Sequence, residues 1–226
     1  MEPLLLGSRQ IPLLLVRHPR ARRYLLRLRP DGVARVTIPR GGTLTEARQF
    51  AERNRVWLET QFHRLQTRPR QPVQWPSGSE IWFRGGRVLL EQIDGGRIKF
   101  GDEILDLTEP VADLRPAIEK YLRALAAREL PPRVREFAVR HELSVQRITV
   151  RNQKSRWGSC SRRGAISLNW RLIQTPDSVR DYIILHELAH LRQMNHSEKF
   201  WQEVERLCPN YQEAERWLKD HHELLR

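Results

Sequence analysis

His186-Glu187-Leu188-Ala189-His190 is a five-residue motif, and a third histidine, His196, follows it after five further residues. Side chains four residues apart share one face of a helix, so the imidazoles of His186 and His190 can bind one metal ion. Glu187 projects beside them, where a carboxylate can accept a proton from a metal-activated water. A bend would return His196 as third ligand and leave a fourth position open, as catalysis requires. The motif predicts a metallohydrolase.

The residues before the motif predict an anchored helix. Thr175 is expected to cap its start, with Pro176 at the first helical position and Asp177 in the first turn. Apolar residues then lead into the motif with helical spacing and predict a buried face: Val179, Ile183 and Ile184. The alternative, a surface helix with two incidental histidines, is disfavoured by this context.

Composition limits the class of protein. The chain has 226 residues, 39% of them hydrophobic, which is enough for one large or two small globular domains. There is no apolar run near the length of a membrane span and no signal-peptide pattern at the start, so a cytoplasmic protein without a membrane partner is expected. Cys160 and Cys208 lack metal-finger spacing and are predicted to be free thiols.

The net charge of +13 is unevenly distributed. Residues 1–100 carry most of it, and no acidic residue lies between Glu142 and Asp177, although seven Arg and Lys residues do. Such a segment is typical of proteins that attract a polyanion, whether nucleic acid or nucleotide phosphate. The alternative is that the excess of Arg over Lys reflects genomic composition and serves solubility. Both interpretations stay open for residues 1–100, and the polyanion is favoured beside the metal motif.

Local patterns predict a β-rich first half. Thr43 and Glu46 form a capping box that predicts a helix to about residue 66. A connector rich in proline covers residues 68–78. Pro30-Asp31-Gly32 is a hairpin signal between two of the predicted strands. Those strands cover residues 11–17, 23–29, 33–38, 81–83, 87–93 and 97–107.

The second half is predicted to be mainly helical. A helix over residues 111–129 should end or kink at Pro131-Pro132, before a second helix to about residue 143. A strand over 147–152, a loop and a returning strand over 164–172 precede the metal helix, and helices over 197–207 and 211–224 follow it. The order predicts an α+β metallohydrolase. We expect a β-rich basic region with one long helix over 1–108 and a catalytic domain over 109–226.

Four stretches together resemble one known family, the YgjP-like predicted zinc metallohydrolases, which are kin to the SprT-like metallopeptidases. They are RNQKSRWGSCS (151–161), ISLNWRLI (166–173), DYIILHELAHL (181–191) and MNHSEKFW (194–201). The resemblance implies a zincin-like helical metal-binding domain with a small antiparallel sheet, with His186, His190 and His196 on the metal and Glu187 as base. The family is labelled a metallopeptidase family, but members are also described as nucleoside triphosphate pyrophosphohydrolases preferring UTP.

The metzincins share the spacing of the three histidines, but they are excluded. Their pattern requires a turn glycine where this chain has Gln193, and a downstream methionine turn. The only methionines are Met1 and Met194.

Substrate class is argued from charge. A triphosphate needs a cluster of cations, whereas a peptide oxyanion needs one or two donors. The sequence therefore favours a nucleoside triphosphate pyrophosphohydrolase acting on an anionic nucleotide. A cluster of cations could bind it: Arg151, Lys154, Arg156, Arg162 and Arg163.

Two alternatives remain. One is an SprT-like metallopeptidase acting on proteins, for which the charge suggests an association with nucleic acid. The less favoured one is a non-enzymatic nucleic-acid binder with structural histidines. Tyr211 is a candidate donor to an oxyanion, with packing as the favoured alternative. One divalent ion is expected, zinc first, with nickel, cobalt, manganese or magnesium as alternatives.

Overall fold

A computed structural model describes residues 2–7, 9–67, 74–93, 96–107, 109, 111–221 and 225. The chain divides into two compact units, Met1–Arg70 and Gln71–Arg226. The predicted connector, residues 68–78, spans this division, and its residues 68–73 lie outside the described ranges. The predicted boundary after residue 108 differs from it.

The first unit is a four-stranded sheet with two helices. The predicted hairpin is confirmed, and the strand order is β1-β2-β4-β3, with β2 parallel to β4 and the other pairs antiparallel. The capping box is also confirmed: Glu46 N donates to Thr43 Oγ1 at 3.1 Å, and Thr43 N to the Glu46 carboxylate at 2.9 Å. The predicted single helix is interrupted at Asn54. The elements are β1 Glu2–Leu6, β2 Arg9–Arg17, β3 Leu25–Leu28, β4 Ala34–Ile38, α1 Leu44–Arg53 and α2 Arg55–Thr67.

Short strands open the second unit. β5 pairs with β6, and β7, β8 and β9 form an antiparallel meander. Their buried side chains, such as Phe83, Ile98 and Phe100, belong to the same hydrophobic core as Leu188 of the metal helix. This shared core is the physical reason why these strands group with the part of the chain that carries the histidine motif. The strands are β5 Glu80–Phe83, β6 Gly86–Leu89, β7 Glu91–Ile93, β8 Arg97–Phe100 and β9 Glu103–Asp106.

The long helix α3, Arg115–Arg140, continues through Pro131 and Pro132. The predicted end of the helix there, with two separate helices, is therefore wrong. The two prolines remove the hydrogen bonds to the carbonyls of Ala127 and Arg128. Both residues are exposed, so water can solvate those carbonyls, while Leu130 and Val134 keep the helix packed on the core.

A three-stranded sheet lies before the metal helix, in the order β10-β12-β11. It comprises β10 Arg147–Arg151, β11 Gly158–Cys160 and β12 Ala165–Asn169. The expected antiparallel return of the second strand is wrong, because β10 runs parallel to β12. β11 reverses the chain between them and pairs antiparallel with β12, so it occupies the edge of a mixed sheet.

Three helices complete the unit: α4 Asp177–Ala189, α5 Glu198–Leu207 and α6 Tyr211–His221. Pro176, and not Thr175, is the N-cap of α4. Thr175 instead ends a short 3-10 helix over Trp170–Gln174 and donates its hydroxyl to the Leu172 carbonyl at 2.8 Å. The predicted end of the last helix falls in residues 222–224, outside the described ranges.

The predicted α+β class is confirmed by this mixture of helices and small sheets. Both cysteines are free thiols. Within the described residues, no helix combines the length and the apolar character that a bilayer crossing needs.

Candidate metal centre

Three imidazoles converge where the chain turns from α4 to α5. Their ligand atoms all lie within 4.8 Å of one another, with 3.2 Å between the Nε2 atoms of His186 and His196. Within the described part of the chain, this is the group of His, Cys, Asp or Glu side chains whose spacing could hold a metal ion. The turn after Ala189 returns His196 to the helix, as the sequence spacing predicts.

Phe200 forms the apolar floor under the three histidines. It is fully buried on α5, and its ring centroid lies 5.0 Å from that of His186, 4.5 Å from His190 and 4.7 Å from His196. Ring packing restricts the rotamers of all three ligands. The centre is therefore held by the core as well as by the backbone.

Hydrogen bonds fix which nitrogen faces the centre. His190 Nδ1 lies 3.1 Å from the Gln193 carbonyl, which can only accept, so Nδ1 carries the proton and Nε2 is available as ligand. His186 Nδ1 lies 3.4 Å from the Tyr182 hydroxyl, which donates to Glu215 Oε1 at 2.8 Å. A relay of this kind leaves Nε2 of His186 facing His196.

His186 and His190 are poised as neutral ligands. Burial, with a contribution from the neighbouring imidazoles, lowers the pKa of His186 to about 4. Burial also lowers the pKa of His190. A metal ion binds the neutral imidazole, so no proton has to leave either ring near neutral pH. The donor set thus fits a divalent ion with three nitrogen ligands and an open position.

Glu187 is the buried acid of the site. It is 6% exposed, and its Oε2 has no hydrogen-bond partner among the described residues. Burial raises the pKa of Glu187 to about 7, against the opposing effect of Arg156. An unpartnered buried carboxylate oxygen is costly. It is explained if the oxygen serves a water or a substrate proton.

A cavity of about 770 Å³ opens over the three histidines and Glu187. Of the five cations predicted to bind substrate, Arg156 is the one that lines it, together with Lys219 from α6, which the sequence analysis did not propose. Arg151 ends β10, and β12 separates that strand from β11, whose residues line the cavity. Lys154 is exposed in the loop after β10, and Arg162 and Arg163 are exposed in the turn between β11 and β12.

Tyr211 is not among the residues that line the cavity. Its ring stacks on Tyr182 at 6.2 Å and on Trp201 at 5.6 Å. Its position is that of a packing residue between α4, α5 and α6.

Asn169, which sequence reasoning missed, fixes the loop that carries Arg156. It is fully buried at the end of β12, and its Nδ2 donates to the carbonyls of Gln153 at 2.8 Å and Arg156 at 3.1 Å. Its Oδ1 accepts from Arg171 N at 3.2 Å. A lone amide ending an apolar strand was the available signal, because a buried amide needs several partners.

Gly158 lets β11 lie directly against the buried acid. A Cβ at this position would lie 2.5 Å from Glu187 Oε1 and 2.6 Å from its Cγ, distances that real Cβ atoms do not show. The requirement is for space, since the backbone of Gly158 is not in the left-handed region. This contact fixes the position of the carboxylate relative to the metal ligands.

Gly158→Ala is therefore expected to displace Glu187 and to lower kcat/KM by about a hundredfold, as small misplacements of catalytic groups do. Zinc affinity should be unchanged, because the three atoms nearest to the added methyl all belong to Glu187 and none to a histidine. Gly86→Ala is the matched control, since its Cβ would meet the Phe83 carbonyl only at 3.9 Å. Unaltered kcat/KM in Gly158→Ala would show that the contact does not position the acid.

Tyr182→Phe removes the hydroxyl between His186 and Glu215 but keeps the ring. We expect zinc affinity, measured by chelator competition, to fall by about 10–100-fold, the usual effect of losing a partner of a metal ligand. Tyr211→Phe is the control, because it keeps the stacking on Tyr182 and should leave affinity unchanged. Equal zinc affinity in Tyr182→Phe and wild type would exclude the relay.

Comparison with known proteins identifies the family. The YgjP-like, metallopeptidase domain matches residues 22–221. Two crystal structures of metallopeptidase zymogens are partly similar, each 24% identical with a TM-score of 0.37. The match with abylysin of Pyrococcus abyssi covers 41% of this chain and 95% of the abylysin chain. The match with jannalysin of Methanocaldococcus jannaschii covers 42% of this chain and 97% of the jannalysin chain. No curated protein matches. This match confirms the predicted class, a metal-dependent hydrolase, and the chain belongs to the YgjP-like metallopeptidase family.

Proposed function

We propose that this protein is a zinc-dependent peptide hydrolase that holds its substrate as an extended strand along β11. The observation that carries the proposal is the free backbone edge of β11, which borders the cavity beside Glu187. This preference for a peptide differs from the preference for a nucleotide that charge alone indicates.

The hydrogen-bonding pattern shows which backbone groups of β11 face outward. Asn169 N donates to the Trp157 carbonyl at 2.8 Å, and Ser161 N donates to the Ala165 carbonyl at 2.9 Å. Bonded residues alternate in an antiparallel pair, so Ser159 bonds to β12 as well, and Gly158 and Cys160 point their N–H and C=O groups away from it. None of these groups has a bonding partner among the described residues.

An edge of this kind is a template for an added strand. Extended peptides bind sheet edges through main-chain hydrogen bonds, while side-chain pockets supply specificity. Gly158 is also the residue packed against the Glu187 carboxylate. A peptide paired with this edge would therefore pass close to the acid.

Each group of the site has a role in hydrolysis. The three histidines would hold the ion through their free nitrogens, and the bound ion would supply Lewis-acid activation of water. Glu187 accepts the proton of the attacking water and returns it to the leaving amine. Its raised pKa suits this exchange, because a base with a pKa near 7 can both take up and release a proton at neutral pH. β11 holds the scissile bond in place.

A scan with N-methylated peptides tests the strand. An antiparallel ladder uses every second residue of the added strand, so methylating alternate backbone nitrogens should lower kcat/KM by about tenfold or more. Methylation of the intervening nitrogens should have little effect, and those peptides are the matched control. Uniform tolerance along the peptide would contradict binding along β11.

A nucleoside triphosphate pyrophosphohydrolase preferring UTP is the second candidate. The presence of Arg156 and Lys219 in the cavity wall favours it, since a triphosphate needs cations. Glu215 also lines the cavity, and the other four predicted cations do not. We rank this function second because one predicted cation does not make the cluster that a triphosphate requires.

A further inference from the structure

We propose that the first unit carries a binding surface for the phosphate backbone of duplex nucleic acid. The surface, termed the arginine rim, consists of Arg17, Arg20, Arg22, Arg23 and Arg40, all of which are exposed. It involves neither the metal centre nor the peptide-binding edge, so it adds a second binding activity to the proposed hydrolase.

Sheet topology places the five arginines at one end of the sheet. β2 and β4 are parallel, and Arg17 pairs with Ile38, so both strands end at the same level. β3 is antiparallel to β4 and begins there, with Leu25 opposite Thr37. The loops after β2 and after β4 therefore lie side by side, and they contribute all the remaining arginines of the rim.

Hydrogen bonds hold these two loops in defined positions. Ala21 N donates to the His18 carbonyl at 3.0 Å, which closes a turn, and Arg40 N donates to the Ala21 carbonyl at 3.2 Å, which joins the loops. Arg17 Nη1 donates to the Gly42 carbonyl at 3.0 Å. The backbone that presents the cations is thus preorganised, which reduces the entropy lost on binding.

Acidic side chains offset little of the charge of the rim. Residues 3–30 and 32–45 contain no Asp or Glu. No ion pair involves any of the five arginines within the described residues. The carboxylate of Glu46, the nearest acid in sequence after Arg40, is bonded to Tyr24 and Thr43 and sets one negative charge against the five positive charges of the rim. Five exposed and unpaired cations in one place form a site for a polyanion.

Duplex nucleic acid fits the rim better than a single strand or a membrane. Single strands are bound largely by stacking bases on aromatic rings. The ring of Tyr24 at the rim is packed on Phe50 and has its hydroxyl bonded to Glu46, and the imidazole of His18 accepts from Arg20 N at 3.3 Å. A membrane-binding surface needs an apolar face, and Leu44 alone does not provide one. Repeated phosphates along a duplex match a surface of guanidinium groups.

The experiment measures binding of the full-length, zinc-loaded protein to a short fluorescent DNA duplex over a range of salt concentrations. Arg20, Arg22 and Arg23 are replaced together by Gln. In the control variant, Arg9, Arg53 and Arg55 are replaced together by Gln, which removes the same charge from the same unit. Arg9 begins β2 at the opposite end from Arg17, and Arg53 lies about 13.5 Å along α1 from its start.

The rim variant is expected to bind the duplex at least about tenfold more weakly. Its slope of log affinity against log salt should become less negative by about 2 to 3, because three contacts to phosphate are lost. The control should stay close to wild type. An equal loss in both variants would overturn the proposal, because net charge alone would then explain binding. Two further results would overturn it: tighter binding to a single strand than to the duplex, or tighter binding to phosphatidylserine vesicles. An RNA duplex, run in parallel, should bind through the same arginines.

Discussion

Glu187→Gln is expected to lower kcat/KM for peptide hydrolysis by about 10²–10⁴-fold, the usual contribution of a general base. The amide has the shape of the carboxylate but cannot accept a proton. Zinc affinity should be retained, because the three histidines bind the ion without Glu187. The change also replaces an acid whose ionisation burial disfavours, so the metal-free fold should not be destabilised.

The measurements for this variant are initial rates on an unfolded protein and zinc affinity by chelator competition. Glu205→Gln, an exposed acid on α5, is the matched control and should behave as wild type. Turnover that survives in Glu187→Gln would remove the assigned base. Loss of zinc together with turnover would instead make Glu187 part of the metal centre.

His190→Gln is expected to lower zinc affinity by more than about a hundredfold, beyond the effect of losing a partner of a ligand. The reason is that the centre keeps two of its three imidazoles, and turnover should fall with the bound metal. Gln is preferred to Ala here, because the His190 ring stacks on Phe200 at 4.5 Å and a small side chain would leave a cavity.

His141→Gln is the control for this prediction. His141 caps the end of α3, stacks on Phe137 and is not among the residues that line the cavity. Its replacement should leave zinc affinity and turnover unchanged. Unchanged zinc affinity in His190→Gln would mean that the ion is held elsewhere.

Elements set by neighbouring residues were predictable from the sequence. The capping box of Thr43 and Glu46 is a local hydrogen-bond exchange, and the convergence of His186 and His190 follows from the helical repeat. The path through Pro131-Pro132 was not predictable, since it depends on which carbonyls face water in the folded unit. The parallel pairing of β10 with β12 depends on where β11 is inserted, which is a tertiary property.

The same distinction applies to the site. Tyr182 lies four residues before His186, so the helical repeat already placed it beside that ligand, and the signal was overlooked. The contact of Gly158 with Glu187 joins a strand to a helix and had no local signal. The basic segment of the sequence predicted five cations near the substrate, but of these five, Arg156 is the one that lines the cavity. The number of charges along a sequence does not predict which surface each side chain faces, because a sheet and its turns point neighbouring side chains to different surfaces.

The most direct test of the proposed function compares peptide hydrolysis with UTP hydrolysis by the same purified protein. Zinc-loaded wild type and Glu187→Gln are each incubated with an unfolded protein and, separately, with UTP, and new peptide amino termini and pyrophosphate are quantified. We predict that wild type produces new amino termini and no pyrophosphate, and that Glu187→Gln produces neither. Pyrophosphate from UTP without new amino termini would contradict peptide hydrolysis and assign the cavity to a nucleotide.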